Sequence, residues 1–157
     1  MNRTAAEHAK QMRRRYHASI SVDVVQLIEQ TSIQLRSWPL RLPAFYGTEQ
    51  GLAYIAIADT IEVDSRQWRC LVAHELGHWC FDHTYDVVAM CSGYWDNLIA
   101  SKCERQANVF VYELLMPAQE CRRMWRRYVY LDEMADYFGV TMQFAQGRMS
   151  HLLTHGF

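Results

Sequence analysis

Two histidines and a glutamate form the pattern H-E-x-x-H within the segment LVAHELGHWC, at His74, Glu75 and His78. On a helix, residues four positions apart lie one turn above each other on the same face, so both imidazoles can bind one metal ion. Glu75 projects about 100° away around the helix axis, where its carboxylate can hold and deprotonate a water molecule beside that ion. The pattern therefore predicts a metal site with His74 and His78 as ligands and Glu75 as general base.

A third ligand is expected, because catalytic zinc sites have three protein ligands and leave the fourth position open. Glu104 opens the segment ERQANVFVYELLMP. At about 100° per residue it falls within the same arc as the apolar residues of that segment, so it points inward. Glu113 lies half a turn away on the opposite side, and His83 would face away from His74 if its helix continued that far. Glu104 is therefore the predicted third ligand.

Two imidazoles and one carboxylate indicate Zn²⁺, although Mn²⁺ or Fe²⁺ could bind the same set. Zinc bound in this way lowers the pKa of coordinated water to about 7 and polarises a carbonyl group. Glu75 would then accept the water proton and pass it to the leaving amine. The predicted reaction is peptide-bond hydrolysis by a zinc metallo-endopeptidase.

Two other interpretations remain open for these polar residues. They could be core groups satisfied by hydrogen bonds, or the metal could be structural in a toxin-like or scaffold protein. A structural site would close with a fourth protein ligand and would have no use for the carboxylate of Glu75 beside the ion. The open fourth position and the apolar surroundings of the motif favour the catalytic site.

Apolar periodicity and helix start and stop signals predict the elements that position these residues. Thr4 and Glu7 fit a capping box that begins a first helix, and a second short helix is predicted after Asp23. If the apolar segment 52–58 lies at the edge of a sheet above the metal, it could pair with an extended substrate strand. The remaining predicted elements are a strand region over about 33–62, the H-E-x-x-H helix over about 65–83, the third-ligand helix over about 97–115, and C-terminal helices over 118–153.

Composition limits the class of protein. The chain has 157 residues, of which 50% are hydrophobic, so residues 1–157 are predicted to form a single domain around one core. A net charge of −1 provides no global field that would attract nucleic acid or a membrane surface. No segment has the apolar length of a signal peptide or a membrane span, which predicts a cytoplasmic protein. The five cysteines include no C-x-x-C pair and are predicted to be reduced, mostly core residues.

The chain resembles the ImmA/IrrE family of metallopeptidases, which is grouped with the gluzincins. The resemblance rests on LVAHELGH at 71–78, ERQANVFVYELLMP at 104–117 and the weaker segment MADYFGVT at 134–141. It implies a mostly helical α+β, zincin-like domain with a small three-stranded sheet packed on the H-E-x-x-H helix. The glutamate that opens the second motif in this family is the third zinc ligand, which corresponds to Glu104. Val111 departs from the more frequent alanine, but it is not a ligand position.

The resemblance also implies a role. Members of the family that are encoded by phages and integrative elements resemble anti-repressors that cut a helix-turn-helix repressor. The implied function is therefore a regulatory protease with a helix-turn-helix repressor as its protein substrate.

A competing interpretation is a DNA-binding regulator, because the segment YLDEMADYFGVTMQFAQGRMSHL has the spacing of a helix-turn-helix motif. This interpretation requires an exposed face formed by Gln143, Gln146 and Arg148. The apolar residues of the same helix favour structural packing instead, and they are predicted core contacts: Met142, Phe144 and Met149.

Overall fold

The computed structural model describes residues 4–18, 20–83, 102–127 and 129–156. The elements within these residues confirm the predicted fold, a mostly helical α+β arrangement with a small mixed sheet. None of the helices in these ranges combines the length and the apolar character that a membrane crossing requires. In chain order the elements are α1 (Ala5–Arg15), α2 (Val24–Glu29), β1 (Gln34–Trp38), β2 (Ala44–Glu49), β3 (Leu52–Ala58), α3 (Arg66–Cys80), α4 (Lys102–Leu115), α5 (Ala118–Trp125), α6 (Leu131–Phe138) and α7 (Met142–His155).

The sheet has the strand order β1-β3-β2, with β1 parallel and β2 antiparallel to β3. Gln50 and Gly51 connect β2 to β3 with φ angles of 51° and 80°, as the two-residue type I′ turn requires. Ile55 and Ile57 of β3 are buried in the core that the sheet shares with α3. The suggestion that the apolar segment 52–58 lies at the sheet edge is wrong, because β3 pairs with a strand on each side.

Helix caps explain where the first elements and α3 begin. Thr4 and Glu7 form the predicted capping box: the Thr4 hydroxyl accepts from the Glu7 N–H, and the Glu7 carboxylate accepts from the Thr4 N–H at 2.8 Å. The side chain of Ser65 accepts from the N–H of Trp68 at 3.1 Å and begins α3. The predicted start of the third-ligand helix near residue 97 lies outside the described residues, and its end at Leu115 agrees with the stop expected before Pro117.

The helices α3 and α4 pack closely at Gly77. A Cβ atom at this position would lie 3.1 Å from Cδ1 of Phe110 and 3.3 Å from Cα of Ala107. Glycine therefore allows the backbones of the two ligand-bearing helices to approach each other more closely than a larger residue would.

A buried ion pair connects the C-terminal end of α4 to α7. The Arg148 guanidinium donates to the Glu113 carboxylate at 2.6 Å and to the carbonyl oxygen of Met116 at 2.9 Å. Glu113 also accepts from the N–H of Ala118 at 3.2 Å. Both charged side chains are almost fully buried, with 3% and 6% of their surface exposed, so the pair needs these hydrogen bonds.

This ion pair decides against the DNA-binding interpretation. Gln143 and Gln146 are exposed on α7, but Arg148 is buried and paired with Glu113, so the face lacks its only base-reading arginine. The core prediction is confirmed for Phe144 and Met149 and is wrong for Met142, which is exposed.

The described cysteines differ in how far they are buried. The four that the structure describes, Cys70, Cys80, Cys103 and Cys121, form no disulfide, and Cys91 lies outside the described residues. Burial raises the pKa of the Cys70 and Cys121 thiols to about 11. The core prediction is confirmed for these two and is wrong for Cys103, which is exposed.

We expect Arg148→Met to lower the free energy of unfolding by about 3–5 kcal/mol, because it leaves the buried Glu113 carboxylate without a cation. The double variant Glu113→Gln/Arg148→Met should lose clearly less, since it removes both charges. Urea denaturation of the wild type, each single variant and the double variant measures the four free energies. Equal losses in Arg148→Met and the double variant would show that the charge of Glu113 does not determine the cost.

Candidate metal centre

Two helices bring the predicted ligands together. His74 and His78 lie one turn apart on α3, and their Nε2 atoms are 3.1 Å from each other. Glu104, in the first turn of α4, places Oε2 3.2 Å from Nε2 of His74 and Oε1 3.1 Å from Nε2 of His78. The three side chains form a group whose potential ligand atoms all lie within 4.8 Å of one another.

The spacing of these atoms fits a metal ion. Nitrogen and oxygen ligands about 2 Å from a tetrahedral zinc lie roughly 3.3 Å from one another. The two Nε2 atoms are 3.1 Å apart, and each lies 3.1 or 3.2 Å from the Glu104 oxygen nearest to it, which is close to that value. The two imidazole nitrogens and the carboxylate could therefore bind one divalent cation.

The pKa shifts of Glu104 and His78 show that these side chains stabilise each other's charged forms. Burial alone would raise the pKa of Glu104, but hydrogen bonds with His74 and His78 hold it well below its ordinary value of 4.5. Burial alone would lower the pKa of His78, but the Glu104 hydrogen bond and the charges of Glu75 and Glu104 raise it above 6.5. A cation bound by these atoms would displace any proton from the ligating nitrogen of His78.

Glu75 lies beside the ligand group without belonging to it. Its side chain is buried on α3, next to His74 in the chain and about 100° around the axis from it. Its negative charge is one of the causes that raise the pKa of His78, as expected of a carboxylate beside the ligand group. Its position is the one that a general base would need.

The end of α3 differs from the prediction. The helix ends at Cys80, and Asp82 adopts a left-handed conformation with φ 50°. The N–H of Asp82 donates to the carbonyl of Trp79 at 3.1 Å, and the N–H of His83 donates to the carbonyl of His78 at 3.0 Å. These two bonds form a Schellman motif, which reverses the chain over the last turn.

This turn brings His83 back against a ligand. The Nδ1 atoms of His83 and His78 are 3.0 Å apart, and Nε2 of His83 is 3.1 Å from Oε1 of Gln106 on α4. The expectation that His83 faces away is wrong, because it assumed a helix that continues to residue 83. Burial lowers the pKa of His83, which favours its neutral form. Its nearest contact is the far side of the His78 ring, and it is not in the ligand group.

Helical periodicity could not detect His83 or Gln106. The available signal was the sequence Phe81-Asp82-His83 after an apolar run, because aspartate adopts the left-handed conformation more readily than most residues.

The sequence profile of a peptidase family, described as the IrrE N-terminal-like domain, matches residues 41–150. The chain belongs to this family. The matched range covers well over half of the chain and includes His74, Glu75, His78 and Glu104, so the predicted ImmA/IrrE resemblance is confirmed. Membership in this peptidase family implies a protein substrate. No curated protein matches the sequence.

We expect His74→Ala, His78→Ala and Glu104→Ala to lose bound metal, because each removes one of three ligands. Glu75→Gln should retain the metal content of the wild type, and Glu120→Gln, at a partly exposed α5 carboxylate that pairs with Arg123, serves as a control. Metal per chain after dialysis, measured by mass spectrometry, tests this expectation. Full metal content in Glu104→Ala would remove Glu104 from the ligand set.

The pKa shifts predict how pH affects the metal-free protein. The lowered pKa of Glu104 contributes stability that is present above pH 4.5 and is lost as the pH falls through the pKa of Glu104 in the folded state. The raised pKa of His78 contributes stability that is present below pH 6.5 and is lost as the pH rises through the pKa of His78 in the folded state. The chelated wild type should therefore exceed chelated Glu104→Gln in stability most clearly between about pH 4.5 and 6.5. A pH-independent difference between their unfolding free energies would contradict this assignment.

Proposed function

We propose that this chain is a zinc-dependent endopeptidase in which His74, His78 and Glu104 bind the metal and Glu75 is the general base. The observation that carries the proposal is the convergence of two Nε2 atoms and one carboxylate within a member of a peptidase family. The described residues supply three metal-ligating groups at this point and no fourth, which leaves a position for substrate. That arrangement favours a catalytic site over a structural one.

Glu75 performs the proton transfers in this mechanism. His74, His78 and Glu104 would hold a divalent cation, zinc by preference, which would polarise the scissile carbonyl and increase the acidity of water. The Glu75 carboxylate accepts a proton from the attacking water as the water oxygen bonds to the carbonyl carbon. It then donates that proton to the amine nitrogen as the carbon–nitrogen bond breaks. Glu75 is only 4% exposed, so packing limits the orientations that its carboxylate can adopt.

The edge strand β2 is the best candidate to bind an extended substrate. It forms an edge of the sheet and packs against α3. Tyr46 belongs to β2, and the charge of Asp82, just beyond the end of α3, adds to burial in raising the pKa of Tyr46. Glu49 and Leu52 close the two-residue hairpin as a hydrogen-bonded pair, so the backbone N–H and C=O of Thr48 point away from β3. A substrate strand could pair with these outward groups.

We propose a helix-turn-helix repressor as the substrate, on the basis of the ImmA/IrrE resemblance. The burial of Arg148 argues only against DNA reading by α7 of this chain itself. A regulatory protein with a structural zinc is the second candidate, and it requires a fourth protein ligand.

The central test incubates the purified, metal-loaded protein with the helix-turn-helix protein encoded next to its gene. We expect the wild type to cleave it and Glu75→Gln to leave it intact at equal metal content, with a rate loss of at least about 10²-fold. Glu120→Gln is the matched control for loss of a carboxylate elsewhere and should cleave normally. Cleavage by Glu75→Gln at the wild-type rate would exclude Glu75 as the base.

The β2 edge has its own test. Thr48→Pro removes one outward N–H without removing a β2–β3 hydrogen bond, whereas Thr48→Ala keeps that N–H. We expect slower cleavage at limiting substrate for Thr48→Pro only, with unchanged metal content in both variants. Equal rates in the two variants would place the substrate elsewhere.

A further inference from the structure

The ligand His78 is the first member of a chain of three hydrogen-bonded side chains that leads away from the metal group. Its Nε2 atom faces Glu104 and His74, while its Nδ1 atom lies 3.0 Å from Nδ1 of His83. His83 in turn places Nε2 3.1 Å from Oε1 of Gln106. These hydrogen-bonded side chains therefore join the end of α3 to the first turns of α4 on the side of His78 opposite the metal group.

When Nε2 of His78 binds a metal, only one assignment of protons on neutral rings satisfies the contacts that join His78, His83 and Gln106. Oε1 of Gln106 can only accept, so Nε2 of His83 carries a proton. A neutral His83 then has a lone pair on Nδ1, which must accept from Nδ1–H of His78. With its proton on Nδ1, a neutral His78 has its lone pair on Nε2, the atom that faces the ligand group.

We propose that His83 and Gln106 are positioning residues that fix His78 in the tautomer with a free Nε2 lone pair directed at the metal. The proposal rests on the proposed metal site and deepens it. Hydrogen bonds from a ligating imidazole to a second group fix its orientation, and their loss typically weakens metal binding by about 10–100-fold.

The backbone of the α3 terminus supports this role. The Schellman motif at Asp82 fixes the backbone of His83 against the carbonyl of His78, and the His83 ring lies beside Nδ1 of the His78 ring. Gln106 lies two residues after Glu104 on α4, so the same helix supplies a ligand and the terminal acceptor of the chain. A relative shift of α3 and α4 would therefore break these hydrogen bonds and displace Glu104 at the same time.

The test measures zinc affinity by competition with a chromophoric chelator in full-length His83→Phe, Gln106→Leu and Gln106→Glu. We expect the dissociation constant to rise about 10–100-fold in the first two variants. Gln106→Glu keeps an acceptor oxygen and should stay within about threefold of the wild type. His155→Phe, which makes the same substitution at an exposed position of α7, is the control and should bind zinc as the wild type does.

A spectroscopic measurement separates positioning from general loss of structure. In zinc-loaded protein labelled with ¹⁵N-histidine, the Nδ1–H proton of His78 should exchange slowly with water in the wild type and Gln106→Glu. It should exchange rapidly in His83→Phe and Gln106→Leu, including under conditions where both are folded and saturated with zinc.

The outcomes distinguish this proposal from the proposed function. Wild-type affinity and slow exchange in His83→Phe, with metal loss in Glu104→Ala, would overturn the positioning role and leave the metal site intact. Weakened zinc affinity in His83→Phe, with no cleavage of the helix-turn-helix protein by the wild type, would support the positioning role and count against that protein as the substrate. A wild type that binds no zinc would overturn both.

Discussion

The close packing of α3 against α4 is the constraint on which the site depends. His74 and His78 belong to one helix and Glu104 to the other, so the ligand separations are set by the distance between the two backbones. Gly77 makes that distance possible, because Phe110 and Ala107 occupy the space that a side chain would need. The glycine in the H-E-x-x-H segment therefore acts on the metal site through helix packing. The sheet contributes by burying the opposite side of α3.

Polar groups in this core are concentrated along two sides of α4. Glu104 faces the histidines of α3, and Glu113 faces Arg148 of α7. Each carboxylate is partly or almost fully buried and has side-chain hydrogen-bond partners, which offset the cost of removing its charge from water. The helical arc that separates these two carboxylates in the sequence thus separates the candidate metal group from a structural ion pair in the fold.

The sequence was most informative where function follows from local geometry. The spacing of His74 and His78 determines their common face, and the arc of apolar residues around Glu104 determines its inward direction, so both were predictable. Periodicity could not predict His83, because its position depends on the left-handed conformation of one residue, Asp82.

Strand pairing and the tertiary contacts of individual side chains could not be predicted from the sequence either. An apolar run such as 52–58 indicates burial but does not specify which strands flank it, so the central position of β3 was not foreseen. The burial of Arg148 depends on a carboxylate 35 positions earlier in the chain, a distance at which no local pattern operates. The exposure of Met142 has a similar origin, since the face of α7 that packs inward is chosen by tertiary contacts.

The ion pair between Glu113 and Arg148 has a consequence for how the protein acquires its metal. It holds the C-terminal end of α4 in place by contacts that involve no metal ion, and the apolar residues of α4 are buried as well. The orientation of this helix, and with it the position of Glu104, is therefore largely established by the polypeptide itself. If the proposed site binds a metal, such a chain can complete its folding first and receive the ion afterwards, so that metal supply, separately from protein synthesis, would govern when the molecule becomes competent.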